Sequence, residues 1–174
     1  MKTNHAALGG LLALALAVTS AYAAGPTDPQ IAAIVVTANQ VDIDAGKLAL
    51  TKAASPDVKT FAQLMITDHT GVNKAAVELV TKLHVTPEST PTSQSLQKGG
   101  DDNLAALKKL SGKAFDKAYV DHEVAYHQAV LDAVDTTLIP SAQNAELKAL
   151  LVKVRPAFVA HLDHAKKLQT ELGK

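Results

Sequence analysis

Three features of the sequence predict an all-α chain folded as a four-helix bundle. Apolar residues recur at helical spacing almost from end to end, strand signals are nearly missing, and clusters of Pro, Gly and Ser cut the pattern into long segments. The abundance of Ala, Leu, Val and Lys agrees with that reading.

The first 23 residues read as a leader that lies outside the fold. Met1-Lys2 gives a short positive start, Leu8 to Val18 is a compact apolar run, and Ala21-Tyr22-Ala23 offers the small residues a signal peptidase reads. The run is well short of the ~20 residues needed to span a bilayer. Cleavage after Ala23, with Ala24 the close alternative, would leave residues 24–174 as a single domain in the periplasm. No Cys follows the run, so a lipid anchor on sulfur is excluded.

With no Cys anywhere, the domain has neither disulfides nor thiolate ligands and depends on packing. The full chain's 17 basic and 17 acidic residues balance, and the charges are interspersed, so no nucleic-acid face is expected. Trp is absent and aromatics are scarce, which argues against a base-stacking platform. No membrane-spanning segment is expected in the mature chain. The oligomeric state is left open.

The first helix should start at Asp28-Pro29, a cap followed by proline, and run to about Ala54. Ser55-Pro56-Asp57 repeats the start signal at once, so a second helix, to about His84, should fold back on the first. Val85 to Gly100, broken by Pro87, Pro91 and Gly99-Gly100, reads as a linker. Asp101-Asp102 should cap a short extra helix through about Leu110. A long helix follows from about Lys113 to Leu138, stopped by Pro140. The last runs from about Ala142 to Leu172, with a kink expected near Pro156.

Each long helix carries a polar residue inside its apolar stripe. The clearest stripe is Leu147, Leu151, Val154, Phe158, His161, Ala165, Leu168 and Leu172, which only His161 breaks. Asp42 falls within the arc of Ile34, Ala38, Val41, Ala45 and Ala49, while Asp44 projects outward. His69 continues the row of Ala62, Met65, Val72 and Ala76, with Asp68 on its flank, placed to orient a neighbouring His. Glu123 and His127, four apart, cover one patch of the third long helix. His122 and His164 lie nearer stripe edges, His84 ends its helix, and Tyr119 and Tyr126 read as core packing.

Depth along the bundle ties these residues together. Asp42 and His69 each lie roughly 20 Å from the turn at Ala54-Ser55, at 1.5 Å per residue. If the linker crosses the bundle, the third long helix starts at that same end, and Glu123, His127 and His161 fall at the same depth. Without the crossing, His161 would miss that level by roughly 10 Å. A four-helix bundle with a long crossover connection therefore puts Asp42, His69, Glu123, His127 and His161 in one layer. Imidazole with carboxylate suits one Fe or Zn ion, or another divalent transition metal, and no organic cofactor is indicated.

The stretch Asp42 to Leu50, Val58-Lys59-Thr60-Phe61-Ala62 with Met65 and Asp68-His69, Phe115 to Tyr119, His127, and His161-Leu162 with Ala165 resembles a bacterial exported family of unknown function. Its members are often labelled predicted outer membrane proteins, and the resemblance implies a ferritin-like bundle. Ferritin-like di-iron proteins place a Glu three residues before the ligand His on two helices. This chain has Ile66 and Phe158 at those positions, so two bridging carboxylates are missing. A mononuclear site, or a vestigial one, is the expectation.

Two functions follow from these residues. The first is a periplasmic metal-binding bundle, in iron handling or in oxidative or envelope stress. The second is a non-catalytic envelope protein whose core holds a metal-free polar network. A carrier for a small apolar ligand is a third. Whether the chain is an enzyme is not decided by the sequence. Hydrolysis by a nucleophile is disfavoured, because no Ser sits in a tight turn with a base at motif spacing.

Overall fold

The computed structural model describes residues 25–173, and every regular element among them is helical. The leader expected over residues 1–23 and its cleavage point lie outside the described residues. α1 spans Asp28–Lys52, α2 Pro56–Lys82, α3 Pro91–Lys108 and α4 Gly112–Ala133. A π-helical turn, Val134–Leu138, and the single turn α5, Ile139–Ser141, extend α4 before α6, Ala145–Leu172. No described helix is long and apolar enough to cross a membrane.

Several boundaries differ from the sequence reading. Thr27, not Asp28, caps α1, and its backbone N–H donates to the Gln30 side chain at 3.0 Å. Asp28 is freed to accept from the backbone N–H groups of Gln143 and Asn144, both at 2.9 Å. His84 lies beyond α2 with φ +54, the left-handed position that closes a helix end. There Val85 N–H donates to the Val80 carbonyl and His84 N–H to that of Thr81. α6 starts at Ala145, where the Asn144 side chain accepts from Glu146 and Leu147 N–H. Pro156 lies inside the unbroken helix.

The largest correction concerns the linker. Most of it is helix, because Thr90 and Ser93 cap each other's backbone N–H and Pro91 occupies the first turn. The extra helix is therefore 18 residues long, not short, and it runs through Gly99-Gly100. Glycine is tolerated there because α3 lies tightly on α1. A Cβ on Gly100 would come within 2.7 Å of a Val41 methyl.

Polar ties at the two ends fix the direction of each helix. At one end, Asp28 bonds the turn before α6, Glu88 N–H donates to the Pro29 carbonyl, and Lys82 pairs with Glu146. At the other, the Asp116 carboxylate at the start of α4 accepts from Ala54 and Ser55 N–H at 2.9 and 2.8 Å. Lys52 there reaches the Lys108 carbonyl, and Gln169 bonds Asp121. α2 and α4 thus run one way and α1, α3 and α6 the other, so α3 carries the chain across the molecule. This is the crossing that the depth argument requires.

The interior is layered. One apolar cluster, with Phe61, Met65, Phe115, Tyr119 and Leu168, fills the end near the α1–α2 turn. Another, with Ile31, Ile34, Val134, Leu147 and Leu151, fills the opposite end. Between them lie polar side chains that water does not reach.

Candidate metal centre

The structure brings all five residues into that middle layer. Asp42 is 3% exposed, His69 2%, Glu123 0%, His127 1% and His161 2%. The three imidazole rings form a triangle with centroid separations of 5.5 Å for His69–His127, 5.1 Å for His69–His161 and 5.4 Å for His127–His161. His69 Nε2 lies 3.5 Å from Asp42 Oδ2, and His127 Nδ1 lies 3.4 Å from Glu123 Oε2. Two overlapping groups result, His69/His127/His161 and Asp42/Glu123/His127, whose ligand atoms all fall within 4.8 Å of one another. His127 belongs to both.

Hydrogen bonds at the rim decide which nitrogen of each ring carries its proton. Asn39 Nδ2 donates to the Val35 carbonyl at 2.8 Å, so its Oδ1 is left to accept from His69 Nδ1–H at 2.6 Å. His127 Nδ1–H donates to the Glu123 backbone carbonyl at 3.0 Å. His161 Nε2–H donates to the Asp68 carboxylate at 2.9 Å. The remaining nitrogens, His69 Nε2, His127 Nε2 and His161 Nδ1, are buried lone pairs without a hydrogen-bond partner. Asp42 Oδ1 and both Glu123 oxygens are equally unpaired. So many orphaned acceptors in one dry layer would cost several kcal/mol unless protons or a cation served them.

Electrostatics agrees. Burial, followed by repulsion from His127 and His161, pushes His69 down to about 2, so the ring is neutral. Burial pushes Glu123 up to about 8. Asp42 is raised well above the carboxylate range, by burial first and then by Glu123 beside it. His161 is lowered by burial, against the pull of Asp68. Without a cation, protons shared among the carboxyls and lone pairs hold the layer together.

A pH profile for chelator-treated protein follows. His69 binds its proton near 6.5 when unfolded and near 2 when folded, so its contribution is complete above 6.5 and is lost as pH falls. Glu123 moves the opposite way, from 4.5 unfolded to about 8 folded, so its contribution is lost as pH rises toward 8. The two oppose each other between 4.5 and 6.5. Above that window only the carboxyls act. The urea midpoint should therefore fall between pH 6.5 and 8. A midpoint that climbs over that interval would contradict the assignment.

Sequence reading found the inward residues and the role of Asp68, but it missed Asn39. The available signal was its position three residues before Asp42, on the same face of α1. Phe158, which stands where a di-iron protein would have Glu, stacks on His69 with centroids 5.4 Å apart and planes 10° apart. His122 stacks on Tyr126, whose hydroxyl donates to the Ala38 carbonyl, and His164 meets the edge of Phe61. None of these three joins the cluster. Tyr119 packs with Phe61 and Phe115, and its buried hydroxyl has no partner.

The family model described as "Domain of unknown function (DUF4142)" matches residues 13–168, and the chain belongs to that family. No curated protein matches it. Among solved structures, it is similar to one described as CopM in the Cu(II)-bound form, with a TM-score of 0.65 and 17% identity. The alignment covers 84% of this chain and 98% of that one. At that identity the likeness establishes the shared helical fold.

Proposed function

We propose that this DUF4142 chain is an exported, ferritin-like four-helix bundle that holds one divalent transition-metal ion in its core. His69, His127 and His161 are the primary ligands, and Asp42 and Glu123 complete the set. The observation that carries this reading is the convergence of three buried imidazoles, each donating its outer N–H and leaving its inner nitrogen without a hydrogen-bond partner. Outer-shell partners of this kind fix the tautomer and raise ligand basicity in metal sites. Ligand atoms about 2.0–2.1 Å from one ion lie roughly 3.3–4.2 Å apart, so small ring rotations would close the set.

Among Fe, Zn and other divalent first-row ions, a site of imidazole and carboxylate binds Cu(II) most tightly. The resemblance in fold to a protein solved with Cu(II) supports copper further. With Ile66 and Phe158 in place of bridging Glu residues, the layer lacks the donors of a di-iron oxidase. Binding or handling of a single ion is the better-supported role, in the periplasm if the leader acts as read.

Elemental analysis of protein purified from its native compartment without a His tag should find about one ion per chain. Asp68→Asn should then weaken metal affinity by about 10- to 100-fold, because the amide holds the His161 ring less well. A metal-free protein that also fails to take up Cu(II), Zn(II) or Fe(II) after chelator treatment would leave the second reading, a polar network in a structural envelope protein.

A further inference from the structure

Beside the polar layer lies a cavity of about 170 Å³, which shares Asp42 and His69 with the proposed ligand set but whose other walls the metal reading does not use. Its walls are apolar, formed by Val134, Leu138, Leu151, Val154, Phe158 and the ring of Tyr126. Its polar lining is uneven. The Asn39 amide and the Tyr126 hydroxyl are already engaged, whereas Asp42 Oδ1 and His69 Nε2 are buried and free. Asp42 and His69 are both more than nine-tenths buried. At the opposite side, Ala38, Ala129, Ala133 and Thr92 are exposed or half-exposed, so a row of small side chains leaves a mouth between α1, α3 and α4.

The local structure sustains this space. α3 leans on α1 through Gly100 and Val41, and the π-helical turn supplies two wall residues, its first and last, Val134 and Leu138. π turns inside α-helices recur at functional sites. An apolar cavity of about 150 Å³ engineered into another protein stays dry and takes up benzene. A pocket of this kind with a few converging polar groups fits a small organic molecule.

We infer that this cavity binds a small neutral amphipathic molecule, a ring of about six carbons bearing a hydroxyl, entered ring-last through the alanine mouth with the hydroxyl toward Asp42 and His69. A charged ligand is disfavoured by the aliphatic walls. A larger one would not fit the volume. The inference goes beyond metal binding and concerns the metal-free protein, in which Asp42 and His69 are available to the hydroxyl; an ion held by them would compete with it.

Phenol is the probe, and benzene is its purely apolar counterpart. Titration calorimetry on the full protein after chelator treatment should show saturable phenol binding. Benzene should bind about fivefold more weakly, the difference that one hydrogen bond makes. Ala129→Phe and Ala133→Phe place a ring in the mouth on exposed helix faces, so both variants should keep the wild-type circular dichroism. Each should weaken phenol binding by at least about tenfold. Wild type that does not bind phenol, plugged variants that bind it equally well, or benzene that binds as tightly as phenol would each overturn the inference. Failure to take up metal with retained phenol binding would sink only the metal reading, so the two ideas fail separately.

Discussion

Replacing His127 by Leu is expected to abolish the metal response of the protein. His127 is the one residue common to both ligand groups, and its inner nitrogen faces His69 and His161. Metal at about 100 times its Kd should stabilise the wild type by about 2.7 kcal/mol through linkage. For a domain of this size that corresponds to a rise in Tm of roughly 5–10 °C. Leu is apolar and close in size, so the variant should fold, with a metal-free stability within about 1–3 kcal/mol of wild type. Its Tm should then be indifferent to added Cu(II) or Zn(II). His122→Gln, on the same helix but outside both groups, should keep the full response. The comparison is made by scanning calorimetry after chelation, with and without metal. A rise in the His127→Leu variant equal to that of wild type would end the case for a core ion.

What made this site legible was disagreement between two levels of the sequence. An apolar stripe states which face is buried, and a polar residue inside it states that something on that face needs a partner. The phase of α1 separated Asp42, now buried, from Asp44, which bonds Gln40 and Lys47 nearer the surface. Counting residues from the α1–α2 turn then put five residues at one depth, which the helix directions bear out. Asn39 escaped because its role depends on the register of α1 against α2, 30 residues away in sequence. An Asn in a helix carries no signal of its own that it will orient a histidine.

The boundary errors have a similar origin. Gly99-Gly100 reads as a breaker because glycine is costly in a helix considered alone. The compensating contact is tertiary: α3 approaches α1 so closely at Val41 that a side chain would not fit. Asp28 read as a cap because the cap signal is local, yet its carboxylate serves a turn 115 residues away. The cavity was the least legible feature. A void is a lack of atoms, and its lining comes from α1, α2, α3, α4 and α6 together rather than from any one segment.

Replacing Asp116 by Ala should produce a large loss of stability. Its side chain is buried, at 1% exposed, and brackets two successive backbone N–H groups of the α1–α2 turn. Each bond to a charged acceptor is worth about 1.5–3 kcal/mol, and the turn is half-open to water, which can replace part of the loss. A net cost of about 2–4 kcal/mol, or a fall in Tm of roughly 6–12 °C, is the expected result. Asp116→Asn, which keeps one acceptor oxygen, should lose about half as much. Asp28→Ala is the informative comparison at the other end. That carboxylate makes the same two-bond bracket but is less buried, so its removal should cost less than that of Asp116. The bracket at Asp116 also sets where α4 begins relative to α1 and α2, and hence the depth of Glu123 and His127. If it only stabilises, the folded variant should keep the wild-type metal affinity. If affinity falls by tenfold or more while the circular dichroism spectrum is unchanged, Asp116 holds the register of the ligand layer. Equal Tm values for Asp116→Ala and wild type would refute the stabilising role, and equal metal affinities the register role.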